Sequence, residues 1–190
     1  MDFASLAKIY KDGFLQFINF TWIEIVIYAI ILVPTFYAMI KGAPFVPTQM
    51  TQVRRMLSIV PLKKGMKLYD LGSGDGRLVH EAAKHYNVDA VGYEFSPLVW
   101  LWSVILSYVW RSKAQLRFGN FWKQNLSDAD VIVCYLLPNA MKQMKQRLMP
   151  QLKPGALIIS HAFQIPDLKA YKSLPPDPDQ RIGAVWVYKI

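Results

Sequence analysis

The chain of 190 residues contains one cysteine, Cys134, and three histidines, His80, His85 and His161. A single cysteine excludes a disulfide framework and any multi-cysteine zinc site. The histidines show no ligand spacing, and residues 80 and 85 do not share a helix face, so no metal site is expected. Cys134, inside VIVCYLL, reads as a buried thiol. Charge is scarce as well: charged residues make up 18% and hydrophobic residues 53%, whereas a soluble domain carries about 25% charged residues. Such a composition excludes a disordered chain. Glycine and proline are few and dispersed, which removes the collagen-like and low-complexity classes, and no internal repeat is visible. The length suits one domain of ordinary size with an appendage.

The apolar excess is concentrated near the start. Residues 22–40 read WIEIVIYAIILVPTFYAMI, interrupted only by Glu24, Pro34 and Thr35. As a helix this run spans about 28 Å at ~1.5 Å per residue, close to the ~30 Å hydrocarbon core. It predicts one N-terminal transmembrane helix within a membrane anchor, residues 1–41, with Phe14, Phe17, Phe20, Trp22 and Tyr37 as interfacial aromatics. A buried or interfacial helix is the alternative. A cleaved signal peptide and a transit peptide both fit poorly, because Lys8 and Lys11 are balanced by Asp2 and Asp12 and the first arginine is Arg54. Lys41, Arg54, Arg55, Lys63, Lys64 and Lys67 follow the run, which places the C-terminal domain in the cytoplasm by the positive-inside rule. Residues 41–190 carry twice as many basic as acidic side chains. That excess suits a solvated face first, an anionic membrane surface second and RNA last. The basic stretch MKQMKQR, with Lys142 and Lys145, lacks the interleaved aromatics that stack bases.

Residues 42–64 read as a linker, GAPFVPT, and a leading helix over 49–59; residues 65–190 read as one domain. Strands are expected at 66–71, 89–95, 115–119, 130–137, 156–162 and 183–190, with a weak segment at 168–174. Helices are expected at 77–85, 97–111 and 139–149. Strands that are apolar throughout and alternate with helices imply a doubly wound α/β fold, its mostly parallel sheet covered on both faces. The helix PLVWLWSVILSYVW is apolar all round. Leu98, Leu101, Trp102, Ile105 and Val109 are expected to cover the sheet. Trp100, Val104 and Trp110 would then point elsewhere, toward the bilayer or the anchor helix.

Chemistry is concentrated in YDLGSGDGR, residues 69–77, between a predicted strand and a predicted helix. Gly72, Gly74 and Gly76 allow a sharp turn and a close approach to a ligand. A dinucleotide fingerprint beginning at Gly72 needs glycine or alanine at position 77, where Arg77 stands. Asp70, two residues before the first glycine, suits a cationic amino-acid group and would repel a pyrophosphate. Asp75 and Arg77 are expected to hold the loop and the helix start. Glu94 ends the next strand, where a carboxylate can accept hydrogen bonds from both ribose hydroxyls.

Together these residues resemble the class I S-adenosylmethionine-dependent methyltransferases, over nearly all of residues 45–190. The resemblance implies a seven-stranded Rossmann-like sheet with the last strand antiparallel, and S-adenosyl-L-methionine as cofactor. It implies that Asp70, Gly72, Ser73 and Gly74 surround the methionine part and that Glu94 holds the ribose. Asn120, where the family often has an acid, and Phe121 or Trp122 would lie by the adenine. The order FVPT, a helix carrying ML, DLGSGDGR, GYE and a terminal VWVY is similar to one smaller branch. These are the membrane-associated protein-lysine methyltransferases that act on the ADP/ATP translocase and the ATP synthase c subunit. The implied reaction is methylation of a lysine on a membrane protein, with the anchor delivering the enzyme to the bilayer. The bacterial inner membrane fits better than a mitochondrial one. A lipid or quinone headgroup is the alternative acceptor, and a tethered non-catalytic binding module the alternative class. After the fourth strand the chain reads CYLLPN, without the polar residue that nitrogen methylators often carry there. Tyr135 and Asn139 are the candidates to orient an amine.

Overall fold

Thr21 and Glu24 open the first helix as a capping box. The Thr21 amide donates to Glu24 Oε2 at 2.7 Å, and the Glu24 amide donates to Thr21 Oγ1 at 3.3 Å. The one acid of the apolar run therefore serves as the partner of the cap. In the computed structural model, which describes residues 21–41 and 45–190 apart from the side chains of 34 and 38–41, helix α1 runs over Trp22–Lys41. Trp22, Ile23, Val26, Ile30, Val33 and Phe36 on it are exposed. The expected transmembrane helix is corrected in one respect. Among the described residues no helix is long and apolar enough to cross a membrane. Of the expected interfacial aromatics, Phe14, Phe17 and Phe20 lie outside the described residues, whereas Trp22 opens α1.

The chain divides into two units, Met1–Val33 and Pro34–Ile190. Within the second, helix α2 (Met50–Ser58) precedes strand β1 (Lys67–Leu71), helix α3 (Arg77–Tyr86), strand β2 (Asp89–Glu94) and helix α4 (Pro97–Trp110). Strands β3 (Gln115–Phe118) and β4 (Val131–Cys134), helix α5 (Pro138–Gln143), and strands β5 (Leu157–His161), β6 (Lys172–Leu174) and β7 (Val185–Lys189) complete it. The strand order is β3-β2-β1-β4-β5-β7-β6, with β7 antiparallel to both neighbours and the β3 to β5 pairings parallel. This is the seven-stranded mixed sheet implied by the resemblance. Alternation along each strand feeds two cores. Leu68, Val131, Val133, Ile159 and Val187 face one side with α2 and α3, while Tyr69, Leu71, Ile132, Cys134 and Ile158 face the other with α5.

Three elements depart from the expected pattern. β4 ends at Cys134, so residues 135–137 form a connection rather than strand. The helix expected over 139–149 is α5, followed by one wide turn over Met144–Leu148 and a tight one over Met149–Gln151. Pro150 lacks an amide proton and stops regular winding. The largest correction concerns α4, which is turned around. Leu98, Leu101, Trp102, Ile105 and Val109 are exposed, Val109 by 76%, whereas Ser103 is fully buried. Trp100 turns in: its Nε1 donates to the Leu116 carbonyl at 3.4 Å and its ring lies 5.6 Å from that of Phe118. Trp110 stacks on His80 at 5.8 Å. Two serines explain the rotation. Ser103 and Ser107 donate to the carbonyls of Trp100 and Val104, both at 2.6 Å, so their hydroxyls are satisfied on the helix itself and offer a slim face to the sheet.

Candidate functional site

The carboxyl ends of β1, β2 and β4 converge on a cavity of about 460 Å³, the place where open α/β sheets take ligands. β1 delivers Asp70, and the glycine loop turns away beneath it. The amides of Gly72 and Ser73 both donate to the Tyr93 carbonyl, at 2.9 and 3.0 Å, which ties the loop to β2. Gly74 has φ +57°, and a Cβ there would stand 2.7 Å from the Phe45 ring. Only glycine gives both the left-handed backbone and the space. Asp75 accepts from Arg77 Nε at 2.9 Å through both oxygens, and Arg77 Nη1 donates to the Thr48 carbonyl at 2.6 Å. The expected loop-holding pair thus also fastens residues 45–48, which cross the cavity as a strap.

Electrostatics favour a cationic, hydroxyl-bearing ligand. Asp70 is buried, and desolvation, followed by the charges of Glu94 and Asp75, raises its pKa from 3.8 to about 7. Burial also raises Glu94, opposed by the amides of Ser96 and Gly74, which donate to its oxygens at 2.8 and 3.0 Å. Asp75 has its charge matched by Arg77, whereas no cation pairs with Asp70 or Glu94 among the described residues. Ser73 Oγ is buried with no partner, a donor left over at the floor of the loop. A cavity with unmatched carboxylates, an orphaned hydroxyl and a backbone cradle fits an amino-acid nucleoside.

Asp70, Gly72, Ser73, Gly74, Glu94 and Asn120 all line this one cavity, as do Phe121 and Tyr135. Asn120 has a local duty besides: its Oδ1 accepts from the Trp122 amide at 3.0 Å, capping a tight turn over Phe121–Lys123. Tyr135 is half-buried, its ring 4.4 Å from that of His161. His161 is buried, with Nδ1 3.0 Å from Gln52 Nε2 and 3.3 Å from the Ala184 carbonyl. Burial holds its pKa below the usual imidazole value, so it supports Tyr135 as a neutral ring. Asn139 stands exposed at the start of α5 and is not among the lining residues. Phe45, Val46, Pro47 and Thr48 do line the cavity, although the sequence reads them as linker. Their signal was the apolar FVPT, too strong for a solvated connection. Cys134 is buried, with its thiol pushed up to about 12 by desolvation. His80, also buried, meets Ser112 Oγ at 2.7 Å. Among the described residues no group of three or more His, Cys, Asp or Glu is placed to hold a metal.

Known proteins with this arrangement are recognisable in both sequence and structure. Residues 70–172 match the family described as ANTKMT methyltransferase domain. A protein of Saccharolobus islandicus (strain REY15A) named protein-lysine N-methyltransferase is 38% identical over 129 residues, covering 66% of this chain and 80% of its own. The adenine nucleotide translocase lysine N-methyltransferase of Mus musculus is 29% identical over 170 residues, covering 86% and 71%. A crystal structure described as an RNA methyltransferase from Salinibacter ruber, in complex with S-adenosyl-L-homocysteine, is similar with a TM-score of 0.70 and 30% identity. It covers 76% of this chain and 94% of that one.

Proposed function

Since the chain belongs to the ANTKMT methyltransferase domain family, a family of S-adenosylmethionine-dependent methyltransferases, we propose that it methylates the side-chain amine of a lysine on a membrane protein. The reading rests first on the cavity, which unmatched carboxylates and the Ser73 hydroxyl share with apolar side chains and Tyr135. When bound, S-adenosyl-L-methionine supplies an electrophilic methyl group on a sulfonium. Ionised Asp70 would hold the cationic amine of the methionine part, Glu94 the ribose hydroxyls, and Phe121 with Asn120 the adenine. The protein's own contribution to rate is alignment and exclusion of water. Phe45 and Leu136 line the cavity beside Tyr135. A lysine ammonium entering that apolar surround is desolvated, which lowers its pKa from about 10.4, so that it releases its proton to water before transfer and presents a free lone pair. The Tyr135 phenol, its ring 4.4 Å from that of His161, would orient the neutral amine. Names of the relatives support lysine as the acceptor, and the exposed apolar α1 supports a membrane setting.

The Salinibacter ruber structure is described as an RNA methyltransferase, which makes RNA the second reading. One assay separates them. The purified enzyme is given methyl-labelled S-adenosylmethionine and lysed cells lacking its gene, then label is followed into protein, RNA and organic extract, with Glu94→Ala as control. The expected result is a discrete membrane-protein band that yields methyl-lysine on hydrolysis. Label in RNA alone would establish the second reading. Label in the organic extract alone would indicate a lipid or quinone headgroup, and cofactor binding without transfer would indicate a non-catalytic module.

A further inference from the structure

Helix α4 contains no charged residue between Pro97 and Trp110. Its exposed side chains, Leu98, Leu101, Trp102, Ile105, Tyr108 and Val109, recur at three- and four-residue steps and so form one stripe. Soluble surfaces rarely carry a continuous apolar stripe without an occupant. The helix covers about 21 Å at ~1.5 Å per residue, too short to cross a bilayer but sufficient to lie in its interface. Trp102 and Tyr108 are residue types that settle at headgroup depth.

Charge selects the occupant. From Phe95 to Ser127 the sequence has no acidic residue, while Arg111, Lys113, Arg117 and Lys123 are basic and exposed. None of the four forms an ion pair among the described residues. Arg111 and Lys113 follow directly from the C-terminus of α4, whereas Arg117, on the edge strand β3, turns to the opposite face of the sheet, where its Nη1 donates to the Tyr93 hydroxyl at 3.2 Å. An apolar stripe with a one-signed basic border complements anionic headgroups over acyl chains. Two copies of this chain packed stripe to stripe would instead bring their like charges together.

We propose that the outer face of α4 docks on an anionic lipid bilayer surface. The cavity lies directly behind it. Ser96 and Val99 line the cavity from the first turn of α4, and Phe118, half exposed on β3, stacks at 6.2 Å on the cavity residue Phe95. Docking therefore holds the cavity within a helix's width of the membrane surface. This surface does not depend on the identity of the acceptor.

The test uses the full chain carrying Ile105→Cys, spin-labelled at that position, since Cys134 is buried and unreactive. Collision with oxygen and with a water-soluble nickel chelate is compared in solution, on phosphatidylcholine vesicles and on vesicles containing phosphatidylglycerol. A label at Gln151→Cys is the reference. The expected result is that phosphatidylglycerol vesicles shield position 105 from nickel and open it to oxygen, while position 151 is unaffected. Arg111→Glu and Lys113→Glu should each weaken that docking roughly fivefold or more. Shielding at 105 already present in solution would mean that the chain itself or a second copy covers the stripe, and would overturn the proposal. So would a label that stays nickel-accessible on the anionic vesicles. Neither result would bear on lysine methylation, which the labelling assay reads independently.

Discussion

Asp70 sets folding and binding against each other. With its carboxyl raised from 3.8 to about 7, the folded protein holds a proton between those values that the unfolded chain has released. Stability of the ligand-free protein therefore falls as pH rises from about 4 to 7. A cationic amine on Asp70 reverses the preference, because it favours the ionised form. Asp70→Asn should consequently melt a few degrees higher at pH 7 without ligand, yet bind S-adenosylmethionine tenfold or more weakly, the scale of one charged hydrogen bond at about 1.5–3 kcal/mol. Calorimetry at pH 6.5 should show proton release on binding in the natural protein and little in the variant. A variant that loses affinity while retaining the same proton release would remove Asp70 from that role. At this scale much of the site was legible. Asp70, the glycines and Glu94 sit at strand ends fixed by the apolar pattern, and they line one cavity. Asn120 was harder to read, since a side chain that caps its own turn carries the same signature as one that waits for a ligand.

Among the elements, the strap over residues 45–48 was the least visible beforehand. Its residues form no helix or strand, so no periodicity marks them, and their partners Gly74 and Arg77 are far along the chain. The contact is specific enough to be tested by compensation. Gly74→Ala should push Phe45 aside and weaken cofactor binding by tenfold or more, combining backbone strain of about 1 kcal/mol or more with a displaced ring. Adding Phe45→Ala relieves the steric part, so the double variant should bind better than Gly74→Ala alone. Isothermal titration of the natural protein and the three variants gives the cycle, and strictly additive losses would show that Phe45 does not close on the loop. Helix α4 shows a different limit of sequence reading. A helix that is apolar on every side has no polar face to declare its orientation, so small residues, Ser103 and Ser107, decided what an apolar count could not.

Across the whole molecule, the apolar pattern was enough to give a mostly parallel sheet covered on both faces, while the antiparallel last strand came only from the resemblance. The relation of the first helix to a membrane was not, because that depends on surroundings outside the chain. The sheet also shows how far stability reaches through the molecule. β7 supplies Val185 and Val187 to one core and Tyr188 to the other, and the Tyr188 hydroxyl accepts from the Ile165 amide at 2.9 Å. Tyr188→Phe keeps the ring but leaves that buried amide unpaired, so it should cost about 1–3 kcal/mol in urea unfolding. An unchanged midpoint would mean that the Ile165 amide finds another acceptor.

β7 is synthesised after every other strand of the sheet, yet its place is between β5 and β6, and β6 pairs with no strand but β7. A nascent chain that has left the ribosome only as far as β6 has a sheet whose closing piece is still in the tunnel. The glycine loop is made well before the strand that locks both cores. The strands that carry Asp70 and Glu94 are therefore made before the strand shared by both cores, and the sheet that holds them closes only when β7 inserts between β5 and β6.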